Sequence, residues 1–194
     1  RCMLKDALVL CDLKMDPTDG VRCRVRGKER VEKDVLTRDE LGRFLEMTQH
    51  ESDDMLAMIW VGFTTGMRFG ELSALLWSDI DFERGLIYVR KSQVMGNVGP
   101  TKTRSHRSVP LHPVVADILK AHAGWQRKRR VPGLKTDLLF PSERGGYRFS
   151  NVLTKPLARC AKGSGLDKHV TAHTMRRTFN NLARQAAGEI VARS

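Results

Sequence analysis

Cysteine, aromatic residues and long apolar runs are all scarce in this 194-residue chain, which has four cysteines, three tryptophans and two tyrosines. The cysteines, Cys2, Cys11, Cys23 and Cys160, form no C-x-x-C pair and no compact spacing, which argues against a disulfide scaffold and favours reduced thiols. No apolar run approaches the roughly 20 residues that span a bilayer, and the first residues lack the apolar segment of a signal peptide. We therefore expect a cytoplasmic location and no membrane partner.

A metal site is also poorly supported by the sequence. His169 and His173 are four residues apart, a spacing that could bind a metal ion on a helix. No glutamate lies between them in H-E-x-x-H fashion, and no cysteine pair is nearby. The sequence therefore predicts that no metal ion is bound.

Acidic residues are few relative to basic ones: 22 Asp and Glu stand against 34 Lys and Arg, which gives a net charge of +12. An excess of this size favours an anionic partner, and nucleic acid is the leading candidate. An ordinary solvated basic surface would give the same charge, so charge alone leaves that alternative open.

The length fits one full domain plus a remnant, since single domains usually have roughly 100 to 200 residues. Apolar residues recur at helical spacing over residues 3–14, and a turn follows at residues 16–20. Residues 21–33 are rich in charge and lack a periodic apolar face, which is typical of a linker. We therefore divide the chain into residues 1–34, a helix with a linker, and residues 35–194, one domain.

The sequence pattern of residues 35–194 predicts a mainly α fold with a small antiparallel β-sheet. A T-x-x-E capping box at Thr37 opens the first helix, and Gly66 ends the second. Two β-prone segments, residues 86–90 and 108–111, flank a Gly-Asn turn. Further helices are predicted over residues 68–76, from residue 113 to the basic run 127–130, over residues 152–161, and from His173 to a stop at Gly188.

Three short segments, far apart in the sequence, carry side chains that bind phosphate and handle protons. Arg68 follows a Thr-Gly helix stop, and Glu71 shares its helical face three residues further on. Lys102 lies between two threonines beside the predicted hairpin. His173 and Arg176 form an H-x-x-R pair at a helix start, where backbone amides add further donors for an anion.

Together these residue types suit the chemistry of a phosphodiester. Two guanidiniums can hold both free oxygens through forked hydrogen bonds, while a lysine and a histidine supply protons near the bridging oxygens. Each residue alone also has an ordinary structural interpretation. Glu71 could form a surface ion pair with Arg68, Lys102 could be a solvated hairpin residue, and His173 could be a partly buried imidazole.

The order Arg, Lys, His-x-x-Arg, with these flanking residues, resembles the catalytic domain of the tyrosine recombinases, the phage integrase family. The resemblance covers most of the chain, from about residue 35 to residue 194, and makes residues 1–34 the end of a core-binding domain with the interdomain linker. It implies that Glu71 supports the active site and that four residues are catalytic: Arg68, Lys102, His173 and Arg176.

The resemblance also marks arginines that could contact DNA. Arg104 and Arg107 flank the lysine and are expected to contact the DNA backbone, although exposed strand charges would look the same. Arg177 stands where the family commonly has a second histidine, and we expect it to contact DNA as well.

The reaction implied by the resemblance is a transesterification that needs neither a metal nor ATP nor another cofactor. A tyrosine attacks the phosphorus to give a 3′-phosphotyrosyl link, and a 5′ hydroxyl reverses the step. Integration or excision of a mobile element is the expected outcome. The complete enzyme is expected to act on double-stranded DNA as a homotetramer that holds two duplexes.

The nucleophile of that reaction is not found in this chain. In the family the tyrosine follows the H-x-x-R pair, whereas Tyr88 and Tyr147 both precede His173. We therefore expect a fragment that is monomeric by itself and that binds DNA without cleaving it.

Three alternatives remain open on sequence. A non-catalytic DNA-binding regulator would keep the phosphate-binding residues without the nucleophile. A type IB topoisomerase shares the chemistry and the fold, and differs mainly in resealing the same strand. An RNA-binding or structural basic domain would not bring Arg68, Lys102, His173 and Arg176 together.

Overall fold

The computed structural model describes residues 35–94, 96–100, 106–129 and 136–193. The chain divides into two units, Arg1–Lys33 and Asp34–Ser194, and all described residues belong to the second. The predicted N-terminal helix and linker lie outside the described residues, as do Lys102 and Arg104. Among the helices of the described part, none is long and apolar enough to cross a membrane.

Six α-helices and five short β-strands form the described part of the chain. The helices are α1 (Arg38–Met47), α2 (Asp53–Thr65), α3 (Phe69–Ser73), α4 (Pro113–Arg129), α5 (Thr154–Gly163) and α6 (Ala172–Arg193). The strands are β1 (Ile80–Asp81), β2 (Leu86–Val89), β3 (Lys91–Val94), β4 (Asn97–Pro100) and β5 (Arg107–Pro110). Single 3₁₀ turns lie at Thr48–His50, Trp77–Asp79 and Ser150–Leu153. The prediction of a mainly α fold with antiparallel strands is confirmed.

The first helix starts where the capping box predicts. The Thr37 hydroxyl accepts a hydrogen bond from the Glu40 amide at 3.3 Å, and the Glu40 carboxylate accepts one from the Thr37 amide at 2.7 Å. These two bonds satisfy donors that a helix start would otherwise leave unpaired. Phe44, one turn further along α1, is fully buried and fixes the helix against the core.

Helix α2 is the centre of the core and contacts both α4 and α6. Its apolar residues point in most directions, as expected for a helix surrounded by protein. The buried ones are Met55, Ala57, Met58, Ile59, Val61 and Phe63. The helix ends at Gly66, as predicted, because this residue adopts the left-handed conformation with φ of 58° and its amide donates to the Gly62 carbonyl.

The strands form two sheets where the sequence pattern predicts one. β1, β2 and β5 make a three-stranded antiparallel sheet, and β3 with β4 makes a separate hairpin. The hairpin packs against α3 instead of extending the first sheet. The approach is so close that a Cβ on Gly70 would lie 2.4 Å from the Gln93 carbonyl oxygen, so this position requires glycine.

Helix α3 is shorter than predicted and ends at Ser73 instead of residue 76. Leu76 is extended, with φ of −106° and ψ of 157°, and pairs with Leu138 as an isolated β-bridge. The Leu139 amide donates to the Leu75 carbonyl at 2.9 Å, which reinforces this pairing. Hydrogen bonds from a segment about 60 residues away therefore override the local helical pattern.

Helix α6 is longer than predicted, because it continues through Gly188 to Arg193. A glycine inside a helix costs about 1 kcal/mol relative to alanine, which good helix formers on either side can offset. The sequence also predicts an apolar side of this helix formed by Phe179, Leu182, Ala183 and Ala186, which is partly wrong, since Ala183 is exposed. The buried residues include Thr178, whose hydroxyl accepts a hydrogen bond from the Leu36 amide at 3.1 Å.

The one cysteine within the described residues, Cys160, is free and buried in α5. Burial raises the pKa of its thiol to about 11, so the group stays protonated at neutral pH. This agrees with the prediction of a reduced, structural cysteine.

A buried histidine joins α4 to the rest of the core. The ring of His122 stacks between Trp77 and Trp125, with ring centroids 5.9 and 5.7 Å away. Its Nε2 atom lies 2.8 Å from the Leu139 carbonyl oxygen. Burial lowers the pKa of His122, so the neutral imidazole is the form that the folded protein holds.

The buried imidazole predicts a specific pH dependence of stability. Unfolded His122 binds a proton below a pH of about 6.5, whereas the folded protein resists this protonation, so stability is lost as the pH falls through that value. The loss should reach at most about 1.4 kcal/mol per pH unit. We expect urea unfolding between pH 7.5 and 5.5 to show this slope in the wild type.

The variant His122→Gln should lose that slope, while the exposed His50→Gln variant should keep it. Equal pH dependence in the wild type and His122→Gln would show that another group is responsible.

Candidate active site

A cavity of about 330 Å³ lies where three distant parts of the chain meet. Its wall is formed by Arg68 and Phe69 at the start of α3, by the segment 150–157, and by residues 169–173 with Arg176. The cavity therefore brings together Arg68, His173 and Arg176, which the sequence predicts for one site.

Arg68 is placed by the turn between α2 and α3. The left-handed Gly66 ends α2, and Met67 is buried, which leaves Arg68 extended at the N-cap of α3. Its amide donates to Oε2 of Glu71 at 2.9 Å, and its Nη1 atom donates to Oε1 at 3.1 Å. The Arg68 side chain remains 38% exposed, so the rest of its guanidinium faces the cavity and solvent.

Glu71 is buried, with 1% of its surface exposed, so the surface ion pair that the sequence allows is not what the structure contains. Arg107, at the start of β5, donates to the same carboxylate from Nη2 at 2.6 Å and from Nη1 at 3.2 Å. Burial by itself would raise the pKa of Glu71, but the hydrogen bonds from Arg107 and Arg68 outweigh it. The pKa of Glu71 is therefore lowered, and the carboxylate is ionised.

Arg176 is held by the end of helix α2. Its Nη1 atom donates to the Gly66 carbonyl oxygen at 2.5 Å. Burial lowers the pKa of Arg176, and the positive charges of Arg68 and Arg107 lower it further, while Glu71 opposes the shift. Arg68 and Arg107 bind Glu71, and Arg176 lies close enough for these three charges to affect its pKa. Three guanidiniums and one carboxylate give this region an excess of two positive charges.

His173 lies at the mouth of the cavity, exposed in the first turn of α6. The helix start is capped by Thr171, whose hydroxyl accepts a hydrogen bond from the Thr174 amide at 3.2 Å. His169 precedes the helix, so the two histidines do not share a helical face. Within the described ranges no group of three histidine, cysteine, aspartate or glutamate side chains could hold a metal ion.

The other residues predicted to contact DNA have different positions. Arg107 forms the fork on Glu71 and is not among the residues that line the cavity. Arg177 is half-buried next to Arg176 and does not line the cavity either. Lys102 and Arg104 belong to the part of the chain that the structure leaves undescribed. The DNA contacts of Arg104, Arg107 and Arg177 stay predictions, as does the catalytic role of Lys102.

Polar residues of the segment 150–157 were missed by the sequence analysis. Ser150, Asn151 and Thr154 contribute hydroxyl and amide groups to the cavity wall. These residues belong to no local motif, and the tertiary fold brings them to a cavity whose other walls are the start of α3 and the first turn of α6. No signal in the sequence could have identified them.

A larger cavity of about 830 Å³ contains none of the predicted site residues. Two of the five basic side chains in its wall are paired with carboxylates. Arg148 donates to Asp54 at 2.5 Å and to the Pro141 carbonyl at 2.8 Å, while Arg159 pairs with Glu51. We place the candidate active site in the smaller cavity because it contains Arg68, His173 and Arg176, which the sequence predicts for one site.

The family model described as the Phage integrase family matches residues 34–188. The chain belongs to the phage integrase family. It is 27% identical over 158 residues to the tyrosine recombinase XerC of Xanthomonas campestris pv. campestris strain B100, covering 80% of this chain and 44% of the relative. It is 30% identical over 149 residues to the tyrosine recombinase XerD of Listeria innocua serovar 6a, covering 75% of this chain and 47% of the relative.

Solved structures of the family share the fold. The XerA recombinase superposes with a TM-score of 0.62 at 27% identity, over 75% of this chain and 48% of that one. The Tn1549 transposon integrase, in complex with a circular intermediate DNA, reaches a TM-score of 0.71 at 21% identity, over 95% of this chain and 64% of that one. The chain spans about half the length of the curated relatives that it matches. The predicted family and fold are confirmed.

The close approach of α6 to the end of α2 predicts a strict requirement for glycine at position 66. A Cβ there would lie 2.3 Å from Cδ1 of Phe179, and alanine is also strained at this left-handed φ. We expect Gly66→Ala to lower the free energy of unfolding in urea by at least about 1 kcal/mol.

Gly42→Ala is the matched control, since nothing lies within 4 Å of its Cβ in helix α1. It should leave stability unchanged or raise it by up to about 1 kcal/mol. Equal stability of the two variants would contradict the close packing of α6 on Gly66.

Proposed function

We propose that this chain is the catalytic-domain part of a site-specific DNA recombinase, which breaks and rejoins DNA through a 3′-phosphotyrosyl intermediate. The observation that carries the proposal is the shared cavity of Arg68, Arg176 and His173, with its excess of positive charge. Membership of the phage integrase family supports the same reaction. Residues 35–194 would be the catalytic domain, and residues 1–34 the end of a core-binding domain with its linker.

The guanidiniums would bind the phosphate whose bond is broken. Arg68 and Arg176 enter the cavity from different elements, so they can approach one anion from two sides. Burial lowers the pKa of Arg176 most, and a phosphodiester placed between the two arginines would offset the repulsion that lowers it further. The two cations would also stabilise the extra negative charge of the pentacoordinate phosphorus in the transition state.

Proton transfer would accompany the exchange of bonds at phosphorus. The attacking tyrosine oxygen loses its proton and bonds to phosphorus, while the bond from phosphorus to the 5′ oxygen breaks and that oxygen gains a proton. We assign the second proton to Lys102 and a supporting role at the phosphate to His173. No cofactor enters this scheme.

Neither tyrosine of this chain lines the candidate site. Tyr88 lies in β2 beneath the guanidinium of Arg90, and Tyr147 lines the larger cavity. The 194-residue chain would therefore bind DNA without cleaving it, and the nucleophile would belong to a part of the complete protein outside these 194 residues. A non-catalytic DNA-binding regulator is the second candidate, because it would need the phosphate site and no tyrosine.

Double-stranded DNA is the partner that we propose. Solved neighbours include the XerH recombinase bound to its difH substrate and a lambda integrase dimer bound to a core site. The net charge of +12 favours the same partner. In the complete protein we propose a homotetramer on two duplexes in the cytoplasm, which would integrate or excise a mobile element, and for this chain a monomer.

Replacement of Arg176 should stop the chemistry without unfolding the protein. In the complete protein, Arg176→Ala should slow formation of the covalent protein–DNA adduct on a nicked duplex on the order of 100 to 1,000-fold, because one preorganised charge is lost. Single-turnover assays at saturating protein would measure this rate.

Arg184→Ala is the control on the same helix, because Arg184 is exposed and lies outside the cavity wall. Its adduct should form at close to the wild-type rate. An Arg176→Ala protein that forms adduct as fast as the wild type would refute the assigned role.

The 194-residue chain itself should bind duplex DNA with an affinity that falls steeply with salt, because phosphate contacts release counterions. Incubation with the nicked duplex, followed by denaturing electrophoresis, should show no covalent adduct. An adduct formed by this chain would mean that Tyr88, Tyr147 or another residue can act as the nucleophile.

A further inference from the structure

We infer that Arg107 is a positioning residue for Arg68, acting through Glu71, and not a contact with the DNA backbone. The inference deepens the proposed function and rests on it, since Arg68 is the phosphate ligand whose orientation is at stake. The sequence predicts that Arg107 contacts the DNA backbone. We infer instead that Arg107 orients a phosphate-binding residue of the active site.

The buried carboxylate of Glu71 is shared by two arginines in a defined geometry. Arg68 contributes its amide to Oε2 at 2.9 Å and its Nη1 to Oε1 at 3.1 Å. Arg107 contributes Nη2 to Oε2 at 2.6 Å and Nη1 to Oε1 at 3.2 Å. Each carboxylate oxygen thus accepts one bond from each arginine, which uses the acceptor directions of Glu71 fully.

This sharing controls how much of Arg68 is free to bind a phosphate. Because Arg107 takes both oxygens of Glu71 in a forked pair, Arg68 donates to the carboxylate through one Nη atom only. Within the described residues, the Nε and Nη2 atoms of Arg68 have no acceptor. Without Arg107, both oxygens of Glu71 could accept hydrogen bonds from two nitrogens of the Arg68 guanidinium, which would turn that guanidinium away from the cavity.

The fold holds Arg107 more rigidly than a surface contact would require. Arg107 is the first residue of β5 and pairs with Val89 of β2, which is fully buried. The Arg107 side chain is 32% exposed, and both of its Nη atoms are engaged by Glu71. Two of the five N–H donors of Arg107 are therefore committed to Glu71, and a movement of Arg107 toward a phosphate that opened this pair would leave Glu71 as a poorly paired charge.

The experiment compares Arg107→Lys and Arg107→Met with the wild type in the complete protein. Lysine keeps the charge but cannot form the fork, so a positioning role predicts that it fails to substitute. We expect single-turnover adduct formation to fall by roughly 10- to 100-fold in Arg107→Lys, the effect of a displaced catalytic group. The affinity for duplex DNA and its salt dependence should stay at wild-type values.

A backbone contact predicts the opposite pattern. Arg107→Lys would then retain both activity and affinity, and Arg107→Met would weaken binding and reduce the salt slope by about 0.9 for one lost phosphate. That result would overturn the inference. Arg184→Lys serves as the matched control, since Arg184 is exposed and lies outside the cavity wall.

A rescue experiment covers the case in which Arg107→Met fails to fold. The double variant Glu71→Gln with Arg107→Met removes the buried charge of Glu71 together with the charge that pairs with it, so it should unfold at a higher temperature than Arg107→Met alone. It should remain slow in adduct formation, because Arg68 is then no longer oriented. Equal stability of the single and double variants would contradict the coupling between the two residues.

A measurement without catalysis separates this inference from the proposed function. In the 194-residue chain labelled with nitrogen-15, the Nε–Hε signal of Arg68 should shift on titration with inorganic phosphate. Arg107→Lys should change the free position of that signal and weaken the response, whereas Arg184→Lys should not. If the complete protein forms no adduct but these signals behave as stated, the recombinase proposal fails and the positioning role stands. An unchanged Arg68 signal in Arg107→Lys would overturn the positioning role.

Discussion

The candidate site depends on the ion pairs that two arginines form with the buried carboxylate of Glu71. Arg68 and Arg107 both bind it, and Arg176 lies close enough for all three charges to affect its pKa. Three guanidiniums without a carboxylate between them would repel each other and separate. With Glu71 in place, helix α3 and strand β5 are joined at the same point, and an excess of positive charge is kept where an anion can reach it.

Close helix packing supplies the second constraint. Helix α6 approaches α2 so closely that side chains on Gly62 or Gly66 would collide with Met175 or Phe179. This contact brings Arg176 to the Gly66 carbonyl oxygen, at the turn that also places Arg68. The same glycine therefore ends a helix, admits a neighbouring helix and accepts a bond from a site arginine. The geometry of the cavity follows from the packing of the core.

Local patterns in the sequence predicted the elements whose causes are local. The capping box at Thr37 and the left-handed stop at Gly66 both have their cause within a few residues, and both are found in the structure. The predicted end of α3 was wrong because Leu76 pairs with Leu138, a contact that no local window contains. The stop at Gly188 was wrong because one glycine is a weak signal inside a run of good helix formers.

In the candidate site, too, some residues were predicted from motifs and others depend on tertiary packing. The motifs predicted that Arg68, His173 and Arg176 belong together, and they line one cavity. The burial of Glu71 and the fork from Arg107 could not be predicted, because they depend on how β5 packs against α3. Ser150, Asn151 and Thr154 were missed for the same reason. Residue type and order predicted which residues meet, while the tertiary fold decides which arginines line the cavity and which one binds Glu71 from outside the cavity wall.

The most direct test of this account is a crystal structure of the chain bound to a duplex. Arg68 and Arg176 should both lie within hydrogen-bonding distance, about 2.7 to 3.2 Å, of the two free oxygens of one phosphate. Contacts from the two arginines to different phosphates, or a cavity that faces away from the DNA, would contradict it.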